Sequence, residues 1–96
     1  MSDQSEKSSY RLISGSFSPA DAREVLMVVI DDKINFHRRK NWSRRERFGE
    51  VDAAGVKRID ELLQTRADLS QLIEDAAAAG MTLRINCDID IQLVAS

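Results

Sequence analysis

At 96 residues, 43% apolar and 31% charged, the chain has the composition of one globular domain near the lower size at which chains fold alone, and not that of a disordered polymer. Its longest apolar run, Val25 to Ile30, is six residues, against the ~20 that a membrane-crossing helix needs. One cysteine, Cys87, excludes an internal disulfide and sets the expectation of a reducing, cytoplasmic location.

The net charge of −2 is unevenly spread. Residues 37–48 hold six Lys or Arg (Arg38, Arg39, Lys40, Arg44, Arg45, Arg47) against Glu46, which is +5 locally and leaves −7 for the rest of the chain. That asymmetry is the main functional hint in the composition.

Residues 1–9, MSDQSEKSS, lack the apolar stretch of a secretory signal and read as a disordered polar tail, so a single α+β domain is expected over 10–96. A first strand is expected over Tyr10–Phe17, with bulk from Tyr10, Leu12 and Ile13, and with Gly15 marking a bulge or a close approach. Ser18-Pro19 then opens a helix. Serine caps an N-terminus, proline is tolerated at the first helical position, and Asp21 and Glu24 suit the positive end of the helix dipole. Phe17, just before the cap, is placed to pack back on the first turn.

This first helix is expected to run to about Lys40. Six consecutive apolar residues at 100° each leave Val25–Ile30 with no polar side, and a helix apolar all round must be covered all round. One neighbouring helix and a two-stranded sheet cannot do that, which points to a partner subunit. The second helix has two possible starts. Ser43-Arg-Arg-Glu46 matches a capping box, whereas Asp52 offers a later start beyond Gly49. Ile59, Leu62, Leu63, Leu69, Leu72, Ile73 and Ala76 then recur at three and four residues until Gly80, a residue suited to a helix C-terminus.

The last segment has the strongest pattern. Leu83, Ile85, Cys87, Ile89, Ile91 and Leu93 alternate with Arg84, Asn86, Asp88, Asp90 and Gln92, which is a long strand with one apolar and one wet face. A helix over 52–79 spans roughly 42 Å and a strand over 82–94 about 43 Å, so the two match in length. The expected fold is therefore strand–helix–helix–strand, an antiparallel helical hairpin packed on a small antiparallel sheet. Two strands do not form an independently stable sheet. The first strand is expected to be half as long as the last, leaving backbone groups unpaired. Completion as a four-stranded sheet in a homodimer through Ile85, Cys87, Ile89 and Ile91 follows from both points.

Candidate chemistry is concentrated in the basic segment at the hairpin tip. Arg38, Arg39, Lys40, Arg44, Arg45 and Arg47, interleaved with Trp42 and Phe48, suit a polyanion or an acidic protein partner, because phosphates take clustered cations and unpaired bases stack on aromatic faces. The bland alternative is a solvated tip. Arg38, Arg39 and Lys40 would then meet the negative end of the first helix, and Trp42 and Phe48 would close the turn. Arg44, Arg45 and Arg47 oppose the helix dipole if the second helix begins at Ser43 and break no rule if it begins at Asp52. His37 has no companion residue for catalysis or metal binding. Lys33 is expected to snorkel from the core edge, or to pair with Asp31 or an acid on the second helix. Asp88, Asp90 and Asn86 share the wet strand face but form no cage for a hard cation, which wants six or more ligands. Cys87 reads as a small core residue. No catalytic residue, metal or cofactor is assigned. The reading is a homodimeric interaction or accessory module without catalytic activity, with non-specific nucleic-acid binding through residues 37–48 as the alternative.

Overall fold

A computed structural model describes residues 7–95 as β1 (Lys7–Phe17), α1 (Pro19–Phe48), α2 (Ala53–Ala79) and β2 (Leu83–Gln92). The α+β architecture, with a helical hairpin and a two-stranded antiparallel sheet, is the expected one. Its proportions are not. Of the expected polar tail 1–9, residues 1–6 lie outside the described residues, whereas Lys7, Ser8 and Ser9 pair with Gln92, Ile91 and Asp90. β1 is therefore as long as β2, and the expected overhang of unpaired backbone on the last strand does not exist. The register slips once, between Arg11 and Ile13, so the bulge is at Leu12 and not at Gly15.

Local chemistry accounts for the helix ends. The Ser18 hydroxyl accepts from the Asp21 N–H at 3.1 Å, Pro19 occupies the first helical position, and Phe17 packs against the buried cluster that contains Ala22. α1 does not stop near Lys40. Nothing from Asn41 to Phe48 breaks a helix, and the chain continues until Gly49 takes the left-handed conformation (φ 68°) and donates its N–H to the Arg45 carbonyl at 2.8 Å. Asp52 then caps α2 by accepting from the Ala54 N–H at 3.1 Å. The later start is the one used. Ser43 and Glu46 lie inside α1, where they form no cap.

The core runs along the helical hairpin: Ala22, Met27, Ile30 and Ile34 from α1 against Leu62 and Ile73 from α2. Ala76 is also buried, Ile59 and Leu69 are half-buried, and Leu63 and Leu72 remain exposed although they share the apolar periodicity. From the sheet, only Phe17, Leu83 and Ile85 reach this cluster. The expectation of a hairpin laid along the whole apolar sheet face thus holds for its near end alone. Ile89, Ile91 and Leu93 stay exposed at 40%, 46% and 60%.

The molecule consists of two arms. Thirty helical residues span about 45 Å and eleven strand residues about 36 Å, so in line the arms would exceed ~70 Å. The measured extents are 49 × 44 × 15 Å, which sets them at an open angle with a common corner at Phe17–Ala22 and Ala79–Leu83. The radius of gyration, 17.5 Å, exceeds the about 12 Å of a compact chain of this length. No described helix is long and apolar enough to cross a membrane.

Candidate binding surfaces

The first surface is the hairpin tip. With α1 extended to Phe48, Arg45 and Arg47 fall in its last turn, where cations are favoured by the negative dipole end. They break no local rule. None of the six cations forms an ion pair among the described residues, since the three ion pairs there are Arg11–Asp88, Arg58–Glu61 and Arg66–Asp31. The helix does not gather them into one patch. Arg38 and Arg45 line a depression of about 240 Å³ with Asn41, Trp42 and Val56. Lys40, Arg44 and Arg47 line a separate one of about 250 Å³ with Ser43 and Phe48. Trp42 and Phe48, 65% and 61% exposed, stand beside these cations, and Trp42 shares its depression with Val51 and Asp52 of the turn.

Below the tip the two helices approach closely. A Cβ on Gly55 would lie 2.9 Å from Asn41 Cγ, so a larger residue there would displace the Asn41 amide from this crossing. Asn41 Nδ2 and His37 Nε2 are both shielded from solvent and find no partner among the described residues. Desolvation first, and then the positive charges of Lys33, Arg58 and Lys40, holds the His37 pKa below its ordinary 6.5. The ring is therefore neutral near pH 7. It meets Phe36 edge-on, with centroids 5.4 Å apart. Lys33 is exposed, with Nζ 5.6 Å from the Phe36 ring centroid, and does not pair with Asp31. Asp31 is instead the partner of Arg66 on α2, at 2.6 Å. The guanidinium lowers the Asp31 pKa, chiefly by hydrogen bonding, and the carboxylate raises that of Arg66. An acid and a base on different helices give no spacing signal, which is why this pair was illegible beforehand.

The second surface is the sheet. Three residues of its wet face are paired across the strands. Arg11 Nε meets Asp88 at 3.0 Å, the Ser9 hydroxyl donates to Asp90 at 2.7 Å, and the Ser14 hydroxyl donates to Asn86 at 3.4 Å. The two aspartates are thus occupied by β1, and no cluster of three metal-ligating His, Cys, Asp or Glu occurs among the described residues. The apolar face carries Leu83, Ile85, Cys87, Ile89 and Ile91 opposite Phe17, Gly15, Ile13, Tyr10 and Ser8. Burial along it falls with distance from the corner: Leu83, Ile85 and Cys87 are half-buried, Ile89 and Ile91 exposed. Cys87 is a free thiol at the midpoint of this row.

Exposed apolar side chains continue from the sheet onto the helices. Val28, Val29 and Phe36 of α1 and Leu72 of α2 all lack cover, so the all-apolar segment of α1 is covered on part of its circumference only. At the corner, Leu72, Ala76, Met81 and Leu83 line an open depression of about 470 Å³.

No family model, no curated protein and no solved structure matches the chain.

Proposed function

We propose that this protein is a homodimeric interaction module without catalytic activity, in which a second copy extends the two-stranded sheet to four strands. The observation that carries this reading is surface area. The chain exposes 7485 Å², whereas a compact monomer of its mass exposes about 5,500 Å². The excess, roughly 2,000 Å², is more than the about 800 Å² that each partner of an ordinary stable interface buries. Large apolar side chains are among what is exposed, Leu72, Met81, Ile89, Ile91 and Leu93 included, and exposed apolar patches beyond a few hundred Å² mark interaction sites. Catalysis is left out because the two reactive side chains lie on different arms, His37 in α1 and Cys87 in β2. The free cysteine fits a reducing, cytoplasmic setting.

Sedimentation equilibrium over a range of concentrations tests the reading. A dimer that persists at high salt supports it, because the apolar contribution is not screened. A monomer at every concentration refutes it.

One observation favours a second reading, polyanion binding at the tip. Two exposed aromatics, Trp42 and Phe48, stand beside six cations that have no ion-pair partner among the described residues. Against it stand the division of five of those cations between two depressions, with Arg39 in neither, and a pI near 5.3. Titration of a labelled single-stranded oligonucleotide across a salt series decides. Each phosphate contact contributes a slope of about −0.7 in log affinity against log salt, and the slope should collapse when Arg44, Arg45 and Arg47 become alanine. Absence of binding at low salt removes this reading.

A further inference from the structure

We infer that the dimer seam joins the outer edges of two β2 strands, with a two-fold axis perpendicular to the sheet at Cys87. This rests on the dimeric reading above and adds the edge, the register and the contacts. A two-stranded sheet has two free edges. β1 carries the bulge at Leu12 and a glycine at position 15, whereas β2 pairs without interruption from Leu83 to Gln92 and contains neither proline nor glycine. β2 is therefore the regular template, and regular edges pair while bulged ones resist pairing.

Two antiparallel copies of one strand can meet only in registers that keep apolar side chains on one face, and these registers differ in charge. An axis at Asp88 sets Asp88 against itself, and an axis at Ile89 sets Asp88 against Asp90 of the second copy. Like charges directly opposite are destabilising. An axis at Asn86 avoids like charges but pairs only residues 83–89 of β2, a shorter stretch than the 83–91 paired about Cys87. An axis at Cys87 sets Arg84 opposite Asp90 of the second copy and Asn86 opposite its Asp88, twice over by symmetry. On the other face it sets Ile85 opposite Ile89 and Leu83 opposite Ile91 of the second copy. The least covered residues of one copy thereby meet the corner of the other.

The corner is shaped to receive them. The 470 Å³ depression of Leu72, Ala76, Met81 and Leu83, with Asp75 and Arg84 also in its lining, lies between α2 and the start of β2 and includes no β1 residue. Continuing the same register brings Leu93 of the second copy beside Met81. Leu93, Met81 and Leu72 are 60%, 63% and 56% exposed in the single chain, and all three become covered. A perpendicular axis also puts both helical hairpins on the same side of the four-stranded sheet.

Cysteine cross-linking and charge exchange test this on the full chain, with sedimentation run in parallel. Directly opposed antiparallel residues have Cα atoms about 4.5–5.5 Å apart, within the range a disulfide spans. Copper–phenanthroline should therefore convert the wild-type dimer to a Cys87–Cys87 cross-linked species, the two thiols giving up two electrons to the copper and two protons to solvent. In the Cys87→Ser background, Ile85→Cys alone should not cross-link, while an equimolar mixture of Ile85→Cys and Ile89→Cys chains should. Arg84→Asp and Asp90→Arg should each weaken dimerisation about tenfold, and the double variant should recover it. A dimer that shows neither the Cys87 cross-link nor the charge rescue overturns the β2 seam and leaves the dimeric reading intact. A chain monomeric throughout overturns both.

Discussion

The two arms are built from similar proportions of apolar residues and differ in what covers them. The helical arm buries Ile34, Leu62 and Ile73 between its own helices and has caps at both ends of its turn. The sheet arm pairs the inner edges of its two strands and part of its wet face, yet buries no side chain fully beyond the corner. One arm thus has a core of its own, while the other has an apolar face without one. The difference teaches that hydrogen-bond satisfaction and hydrophobic burial are separable. Pairing all of β1 with β2 orders the ribbon, but two strands supply only one apolar face with nothing opposite it.

The contrast is sharpest in the core of the helical arm. Replacing Leu62 or Ile73 by alanine should cost about 2–5 kcal/mol, enough to abolish the cooperative urea transition of so small a domain. On the sheet arm the same kind of insult should act on association and not on folding. Ile89→Lys should leave the helical circular dichroism in place while raising the dimer dissociation constant at least roughly hundredfold by sedimentation. A variant that remains a tight dimer breaks the comparison, because Ile89 would then be an ordinary surface residue.

Smaller effects sharpen it further. Gly80 ends α2 in the left-handed conformation at φ 68°, so Gly80→Ala should destabilise by about 1 kcal/mol in chemical denaturation. His37 gives a pH test of the helical arm alone. Its folded pKa lies below 6.5, so the unfolded chain takes up the proton first. Stability should be unaffected above that pH, fall as pH drops from about 6.5 to the lower folded value, and then level off. His37→Gln should flatten the urea midpoint over this window. The smallest change belongs to Asp31→Asn, which removes the half-exposed pair with Arg66. Because the folded Asp31 pKa is below 3.8, its contribution is present above that pH and disappears as pH falls through the folded value. The difference between wild type and variant in thermal melts should also shrink at 1 M salt.

The legible parts of this fold were those dictated by local chemistry. Ser18-Pro19, Gly80, the alternation of Leu83 to Ile91 and the order of elements follow from caps and periodicity. What was illegible depended on competition. The capping box at Ser43–Glu46 is a valid start signal, but an uninterrupted α1 overrides it, because a helix already under way has no free N–H groups there to cap. Lys7, Ser8 and Ser9 carry no apolar signal and join β1 because β2 extends far enough to pair with them. The exposure of Trp42 and the separation of the tip cations follow from that longer α1. A helix distributes neighbours around its axis, so a charge cluster in sequence is not a charge cluster in space.

In the proposed dimer the bulge at Leu12 would limit how many copies can join. A ribbon with two equivalent edges would add further ribbons on either side, and such growth has no natural end. Here one edge is regular and the other is interrupted by a single extra residue. A dimer that joined its regular edges would present only the interrupted ones at its margins, so assembly would close at two and the route to fibrils would be blocked. Deleting Leu12 would restore the alternation and open that route.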